Sequence, residues 1–357
     1  LVFKQNVNAI YSQFGSKLNK FSYLLGLRTE ITDVKVRLTN TNEKFDYKYT
    51  ELFPTINVGF ERTEDQSFTI GYSRRLRRPR FWYLNPFESR SSQNVIYKGN
   101  PGLTPTFTNS FDLGYLQKIG KLTLNSSIYF QHSINSILRV SRDEIRLLDG
   151  VNQVITIREP INLASEDRFG FELTANFNPS KKVRLSGSFN VFQQESKGLY
   201  AYNKFIIDEI TGAISATPET QDLGNTNNSW FTRFNATFSL PWKIQMQNRL
   251  SYRGPRNTAQ SESEGIFSAN IALSKDVLKE KGSLVLNVSD VFNSRKRKST
   301  NYNPSIENPT SISYQESQWR VRQVSLNFTY RFNQKKKQQR DRRGGEDFEG
   351  GEDFGTP

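Results

Sequence analysis

Regular alternation of apolar and polar residues runs along most of the chain and constrains its fold more than any other feature. The pattern is clearest in the last such segment, residues 324–332, which reads Val-Ser-Leu-Asn-Phe-Thr-Tyr-Arg-Phe. A period of two places successive side chains on opposite faces of a β-strand. The pattern therefore predicts strands with one apolar face and one polar face.

About 13 segments carry this pattern, and most exceed the ~9 to 11 residues with which a tilted strand crosses a bilayer. The predicted strands are 2–14, 21–34, 49–63, 67–78, 105–117, 121–142, 165–178, 183–197, 228–240, 244–255, 265–278, 283–296 and 318–332. Because the apolar residues alternate with polar ones throughout, we expect an all-β chain.

The connections between these segments alternate between very short and long. The short ones are tight turns rich in Gly, Asn, Asp and Pro. The long ones are residues 35–48, 79–104, 143–164, 198–227, 256–264 and 297–317. This is the asymmetry of periplasmic turns and extracellular loops in bacterial outer-membrane barrels. We therefore predict a transmembrane, antiparallel, up-and-down β-barrel located in the bacterial cell outer membrane. The alternative is a soluble β-sandwich, in which nothing forces loop lengths to alternate.

The direction of the strands predicts on which side of the membrane the barrel region ends. The last strand follows a long loop, so it runs inward. The barrel region, residues 1–333, therefore ends on the periplasmic side. Single-chain bacterial barrels normally have an even strand number, so an odd count predicts further strands upstream, in a larger receptor-type barrel. Residues 334–357 combine a basic block with a duplicated Gly-Gly-Glu-Asp-Phe and predict a disordered, charged periplasmic tail.

The amino-acid composition excludes several classes of function. With no cysteine and one histidine, the chain offers neither disulfides nor clusters of thiolate or imidazole ligands, so we expect no metal and no cofactor. No apolar run approaches the ~18 to 20 residues of a spanning helix. A net charge of +14 is typical of proteins that bind nucleic acids. No nucleic-acid-binding motif accompanies it, so we expect no nucleic-acid partner.

Four motifs occur in order along residues 72–115. They are Tyr-Ser-Arg-Arg-Leu-Arg-Arg-Pro at 72–79, Leu-Asn-Pro-Phe at 84–87, Gly-Asn-Pro-Gly-Leu-Thr-Pro at 99–105 and Phe-Asp-Leu-Gly-Tyr at 111–115. This ordered set resembles the Bacteroidetes outer-membrane β-barrel family related to TonB-dependent receptors, of which the chain would be the C-terminal barrel portion. The resemblance implies a barrel with an N-terminal plug, energised through TonB when it transports a ligand.

The motif region is the first candidate site, as a loop that contacts a ligand or forms a lid. Its residues are Arg74, Arg75, Arg77, Arg78, Pro79, Asn85, Pro86, Gly99, Asn100 and Pro101. Prolines cannot donate to a β-ladder, so they end strand pairing and stiffen the loop. The alternative is a folded lid with no ligand of its own.

A second candidate site is a basic outer rim at the strand ends next to the long loops. Its residues are Arg253, Arg256, Arg295, Lys296, Arg297 and Lys298, with Arg139 and Arg142 at another strand end. Guanidinium groups bind phosphate through two parallel hydrogen bonds. The rim therefore predicts contact with lipopolysaccharide phosphates or an anionic ligand, unless it only solubilises the outer edge.

We predict no catalytic residues and no enzyme. The single histidine, His132, shares the phase of Phe130 and Ile134 on an apolar face, which favours a structural role over a triad. In the tail, Phe348 and Phe354 repeat one acidic-aromatic motif, which either docks a lipoprotein or another periplasmic partner or is inert.

Two functions remain open. The first is a receptor or transporter barrel that lies in outer-membrane lipid and lipopolysaccharide. The family resemblance implies that its loops capture a ligand. It also implies that TonB drives uptake of the ligand through a plug, which these residues do not contain. The second is a structural or scaffolding barrel whose tail recruits periplasmic partners. Loop chemistry varies while the wall of such barrels persists, so the sequence does not name the ligand.

Overall fold

The computed structural model describes residues 2–39, 42–148, 150–208 and 211–332. They contain 23 strands and two single turns of helix. The elements are β1 (Val2–Leu18), β2 (Phe21–Arg37), β3 (Lys44–Thr63), β4 (Gln66–Arg77), α1 (Phe81–Leu84), β5 (Ser89–Ser92), β6 (Val95–Tyr97), β7 (Thr106–Ile119), β8 (Leu122–Ile134), β9 (Ile137–Leu148), β10 (Val151–Asn162), β11 (Ser165–Ser180), β12 (Val183–Lys197), β13 (Leu199–Ile207), β14 (Ile214–Asp222), β15 (Asn225–Leu240), a 3₁₀ turn (Pro241–Lys243), β16 (Ile244–Arg253), β17 (Arg256–Thr258), β18 (Ser261–Ser263), β19 (Ile266–Val277), β20 (Gly282–Ser289), β21 (Arg297–Asn303), β22 (Ser311–Ser317) and β23 (Gln323–Tyr330).

The wall of the molecule is one 13-stranded antiparallel sheet in up-and-down order. Its strands are β1, β2, β3, β4, β7, β8, β11, β12, β15, β16, β19, β20 and β23, each hydrogen-bonded to the next. These strands correspond one for one to the 13 predicted segments, so the fold class is confirmed. The sheet is open, because β1 and β23 do not pair with each other.

The two faces of the wall differ in chemistry, as the alternation predicts. One continuous row across adjacent strands consists of Ile70, Leu113, Ile128, Phe171, Val191 and Trp230, paired in register. All six are large apolar side chains that are 36–61% exposed. The opposite face of the same strands buries polar groups such as Ser110, Ser133 and Gln194. We call the apolar face the outer face and the polar one the inner face.

The two ends of the wall also differ. At one end, here the turn end, neighbouring strands are joined by tight turns, such as the two residues between Leu18 and Phe21, where Asn19 adopts φ 54°. At the other, the loop end, the connections are long. The last strand starts opposite Ser289 and finishes with Tyr330 opposite Gly282, so it ends at the turn end as predicted.

The long loops are more ordered than the sequence indicates. They build three further sheets at the loop end: β5-β6-β10-β9, the hairpin β13-β14, and β17-β18-β21-β22. Two buried apolar clusters stabilise them. One contains Val140, Leu163, Tyr200 and Leu223, and the other contains Ile96, Ile155 and Ile157.

Two predicted strands are wrong in their extent. Residues 121–142 form two strands in different sheets, because β8 ends at Ile134 and Asn135 adopts a left-handed conformation with φ 55°. Asparagine is among the few residues that tolerate this backbone region. Predicted strand 283–296 likewise ends early, at Ser289, because Asp290 has φ 52° and its carboxylate accepts hydrogen bonds from the backbone N–H groups of Ser294 and Arg295.

Candidate functional site

The wall opens between β3 and β4 at the loop end. Pairing of these strands stops at Thr55 and Ser73, while β4 stays paired with β7 as far as Arg77. Two predicted site residues bridge this opening. The Arg74 guanidinium forms an ion pair with Glu51 at 3.0 Å, and Arg78 forms one with the buried carboxylate of Glu30.

Arg78 is the better anchored of the two. Besides Glu30, its guanidinium donates to Thr32 Oγ1 at 3.0 Å and to Tyr49 Oη at 3.1 Å. Glu30 receives a further bond from Arg28 at 2.7 Å. Arg78 Nε and Nη2 are thus held by side chains of β2 and β3. By contrast, Arg75 and Arg77 are exposed and have no side-chain partner in the part of the chain that the structure describes.

The Leu-Asn-Pro and Gly-Asn-Pro motifs bind each other. The backbone N–H of Gly99 donates to the carbonyl of Asn85 at 2.8 Å, and that of Asn100 donates to Tyr83 at 2.7 Å. Each asparagine side chain then accepts from the backbone two residues on: Asn85 from Phe87 at 3.3 Å and Asn100 from Gly102 at 2.8 Å. The motifs thus form one folded unit, in which both side-chain oxygens accept hydrogen bonds, while Asn100 Nδ2 donates to the carbonyl of Pro160 on β10 at 3.4 Å.

This motif unit leans on the inner face near β1 and β3. Tyr47 donates to the carbonyl of Pro101 at 2.6 Å, and the Phe81 ring packs against Phe3 with centroids 5.6 Å apart. A glycine is required at position 99, because a Cβ there would collide with the carbonyl oxygens of Asn85 and Tyr83. Pro79 and Pro86 are half-buried at either side of α1. These contacts support the lid alternative for the motif loop.

A network of ion pairs ties the loop-end strands together. Arg146 binds Glu88 and Glu144, and Arg142 binds Glu144 and Glu159. The hydrogen bonds from Arg146 hold the pKa of Glu88 below its usual value. Burial alone would raise the pKa of Glu144, but the hydrogen bonds from Arg146 and Arg142 outweigh it and lower the pKa. Arg142 of the predicted strand end is thereby neutralised.

Beside this network lies a cavity of ≈ 270 Å³ between β9, β10 and β13. Tyr200 and Tyr202 stack along it with ring centroids 5.5 Å apart, and Tyr200 donates to Glu159 at 2.5 Å. Burial and the neighbouring carboxylate raise the pKa of Tyr200. Among the lining groups, Arg142, Glu144, Glu159 and Tyr200 are bonded to one another.

The predicted basic rim divides into two sets. The ammonium of Lys296 binds Glu316 at 2.9 Å, and that of Lys298 binds Glu264 at 3.7 Å, so both lysines are paired. Arg295 is exposed on the turn that follows Asp290. The other rim arginines belong to a different arrangement.

Five arginines gather at the loop end and are named here the arginine cluster: Arg139, Arg168, Arg253, Arg256 and Arg297. Arg168 is on the inner face, opposite Gln131 and Gln194, and Arg253 is opposite Phe231 on the same face. The loop sheet supplies Arg256 and Arg297. Three of the five were predicted as rim residues, and Arg139 as a basic strand end.

Strand register explains why Arg256 and Arg297 converge. Arg256 is opposite Ser263, which is opposite Ser299 on the next strand. Directly opposed residues share one face of a sheet, and so do residues two apart on a strand. Arg297, two residues from Ser299, therefore lies on the same face as Arg256.

Two members of the arginine cluster, Arg256 and Arg297, form no ion pair among the described residues. Burial and the charges of Arg168, Arg253 and Arg297 lower the pKa of Arg256, and burial with the charges of Arg253 and Arg139 lowers that of Arg297. The negative charge of Glu166 opposes this effect on Arg256. A lowered arginine pKa means that burial, and then the neighbouring positive charges, disfavour the charged guanidinium.

Two residues of this site were missed by sequence reasoning. Arg168 follows Glu166 and Asp167, so in the sequence its charge is balanced by its neighbours. Asn227 carries no charge and does not stand out as an anion-binding residue. The structure places Gln194 between them, since Arg168 donates to Gln194 Oε1 at 2.6 Å and Gln194 is in register with Asn227. No linear signal joins these positions, because the strands β11, β12 and β15 bring them together.

His132 lies where its phase indicated, on the outer face near the loop end. Its Nδ1 is 2.6 Å from Asp167 Oδ1, an opposed residue on β11. Phe348 and Phe354 of the predicted tail, residues 334–357, lie outside the described residues. Within the described ranges, no group of three or more His, Asp or Glu side chains is placed to hold a metal ion. None of the helices described there is long and apolar enough to span a bilayer.

An apolar outer face, a polar inner face, and long connections at one end only define an outer-membrane β-barrel protein. The model of the outer membrane protein beta-barrel family matches residues 1–330, and the chain belongs to this family. Its place is accordingly the bacterial outer membrane. No curated protein matches the chain.

Solved structures with the same fold are TonB-dependent-type transporters and receptors. The FrpB iron transporter of Neisseria meningitidis is 16% identical with a TM-score of 0.54, over 92% of this chain and 44% of that chain. The ferric yersiniabactin uptake receptor FyuA of Yersinia pestis is 13% identical with a TM-score of 0.54, over 91% and 45%. The ferric-catecholate import receptor Fiu of E. coli is 14% identical with a TM-score of 0.56, over 92% and 45%. The chain thus spans less than half the length of these proteins.

Proposed function

We propose that this chain is the wall and loop region of a receptor barrel that captures a ligand at its loop end and passes it inward in a TonB-dependent step. Arg256 and Arg297 carry the proposal, because they lie on one face of the loop sheet and form no ion pair among the described residues, an arrangement for which a scaffold has no use. The transport, uptake and import functions of FrpB, FyuA and Fiu support it. A protein of this kind is not an enzyme.

The motif unit has the role of a lid in this proposal. Its asparagines and Gly99 are engaged in its own fold, whereas Arg75 and Arg77 are exposed beside it. We assign ligand contact to these two arginines and to the arginine cluster, and a structural role to Arg74, Arg78, Asn85, Pro86, Gly99, Asn100 and Pro101. Lys296 and Lys298, being paired, serve the outer edge.

The proposal is tested in cells by comparing what they remove from the medium. A strain with the complete gene should deplete one or a few small molecules that a deletion strain leaves, and loss of TonB should abolish the depletion. Identical depletion by the wild type and the deletion strain would contradict uptake. If the deletion instead released other proteins from an outer-membrane complex, the scaffolding function would be supported.

A further inference from the structure

The first three wall strands continue past the apolar part of the outer face. β1, β2 and β3 contain 17, 17 and 20 residues, whereas ~9 to 11 residues suffice for a tilted strand to cross a bilayer. Ile70 of the apolar row is opposite Val58, so the even-numbered residues of β3 share the outer face. On this face β3 is apolar from Val58 to Leu52 and becomes charged toward the loop end. The charged part of the strand therefore lies at the upper edge of the apolar band.

The strand register collects basic side chains on this part of the outer face. Three rows cross β1, β2 and β3 there: Val2, Arg37 and Lys44; Lys4, Lys35 and Asp46; and Asn6, Asp33 and Lys48. Directly opposed residues, and residues two apart on one strand, share a face. The cations of these rows, Lys4, Lys35, Arg37, Lys44 and Lys48, are named here the basic patch. None of them belongs to the rim that the sequence predicted.

The basic patch is open to the outside and closed from within. All of its cations are exposed. The Lys35 ammonium is 3.6 Å from Asp33, and the other four cations form no ion pair in the described ranges. On the inner face of β2, between the cations, Thr32 and Val36 are completely buried. The charge is therefore presented outward, on the side that also carries the apolar row.

The outer face has a different charge farther along the wall. At the loop end of β8, β11 and β12, one row of opposed residues contains His132, Asp167 and Glu195. Lys197, on the same face, is paired with Glu195 at 3.0 Å. Solubility of the outer edge alone does not require a net positive charge, because this stretch has carboxylates in the corresponding place. The basic patch is thus a local feature of β1, β2 and β3.

We infer that the basic patch binds phosphate groups of lipopolysaccharide in the outer leaflet. Lys48 is four residues beyond the apolar Leu52, which is about 13 Å along the strand at ~3.3 Å per residue, the level of lipid headgroups above an apolar band. Ammonium and guanidinium groups form charge-assisted hydrogen bonds with phosphate. A soluble phosphate would need the cations only, whereas a lipid also covers the apolar surface that continues directly below them. This site goes beyond the proposed function, since it does not depend on ligand capture.

The inference is tested by measuring how the full-length protein, in a neutral detergent, binds fluorescent bisphosphorylated lipid A. Dephosphorylated lipid A and inorganic phosphate are the comparison probes, and we expect both to bind at least tenfold more weakly. The triple variant Arg37→Gln, Lys44→Gln and Lys48→Gln should weaken lipid A binding about tenfold or more, because each cation near an anionic lipid contributes about fivefold. Lys197→Gln is the matched control, an outer-face lysine at the loop end with its own carboxylate, and should bind like the wild type.

Each contrary result removes a defined part of the inference. Equal binding of lipid A by the wild type and the triple variant would overturn the basic patch as the site. Equal binding of phosphorylated and dephosphorylated lipid A would overturn phosphate recognition, and competition by inorganic phosphate at equal concentration would overturn the lipid source. Heat-modifiable gel migration reports whether the triple variant folds. If it does not, Lys48→Gln alone carries the test, with an expected weakening of about fivefold.

Discussion

Two arginines of the same Arg-rich strand end differ in their surroundings. They differ in how exposed the side chain is and in whether it has a hydrogen-bond partner. Arg78 donates to the buried Glu30, Thr32 and Tyr49, whereas Arg75 is exposed with no partner in the described structure. The sequence presents both as members of one basic run. Nothing local distinguishes them, because the difference depends on which residues of β2 and β3 lie across the opening in the wall.

Arg78→Gln should destabilise the barrel, and Arg75→Gln should not. Loss of the Arg78 guanidinium leaves the Glu30 carboxylate, 7% exposed, with Arg28 as its remaining cation. We expect a loss of about 2 kcal/mol, the range for hydrogen bonds to charged groups. The measurement is the temperature at which heat-modifiable gel migration is lost. Equal midpoints for the two variants would show that Arg78 is not structural.

Gly99→Ala should unfold the motif unit without unfolding the wall. The added Cβ would collide with the carbonyls of Asn85 and Tyr83, which hold the two motifs together. We expect faster proteolysis within residues 79–104 and unchanged heat-modifiable migration. Gly187→Ala in the wall is the control, since its Cβ would meet nothing closer than 3.9 Å. Unchanged proteolysis of the Gly99 variant would contradict the proposed contact.

At the scale of elements, β9 and β10 form an ordered layer above the wall where the sequence indicated only a loop. The sequence signal failed because β9 continues the alternation of β8 and because Asn135, where the chain turns into another sheet, has no distinctive neighbours. Long-range contacts decide the outcome. The buried cluster of Val140 and Leu163 with Tyr200 and Leu223 joins two separate connections, one between β8 and β11 and one between β12 and β15.

Acidification should loosen this layer. The pKa values of Glu88 and Glu144 lie below the usual 4.5, so their ion pairs with Arg146 stabilise the loops at neutral pH. A lowered folded-state pKa gives stability that is present above the unfolded pKa and lost as the pH falls through the folded value. Hydrogen exchange of residues 137–162 should accelerate as the pH falls below 4.5, after correction for intrinsic rates.

The variant Arg146→Gln supplies the control for this effect. It removes the shared partner of both carboxylates, so exchange should already be faster at neutral pH and should change less on acidification. Equal pH dependence in the wild type and the variant would assign the loosening to other groups.

For the whole molecule, the difference between outer and inner face predicts opposite responses to the same substitution. Ile128 lies in the apolar row of the outer face, and its neighbour Ser127 is on the inner face opposite Glu172. Ile128→Arg should destabilise folding into vesicles by about 2 to 4 kcal/mol, the range for a lipid-facing arginine near the bilayer midplane.

Ser127→Arg places the same side chain beside a carboxylate in a polar interior and should fold normally. The measurement is the folded fraction after insertion into phospholipid vesicles across a urea series. Equal effects of the two substitutions would show that the apolar row does not face lipid. The Bacteroidetes origin and the periplasmic tail with Phe348 and Phe354 stay predictions.

The sequence by itself determined the number of wall strands, their two faces, the alternation of short and long connections, and the family. These properties follow from a period-two pattern and from turn residues that act within a few positions of each other. The tertiary structure alone decided which basic residues are free to meet a ligand. Lys298 is paired and its neighbour Arg297 has no ion pair among the described residues, while strand register places Arg297 on the same face as Arg256. Electrostatic balance is set by residues that are close in space, and the hydrogen-bonded order of the strands determines which residues those are.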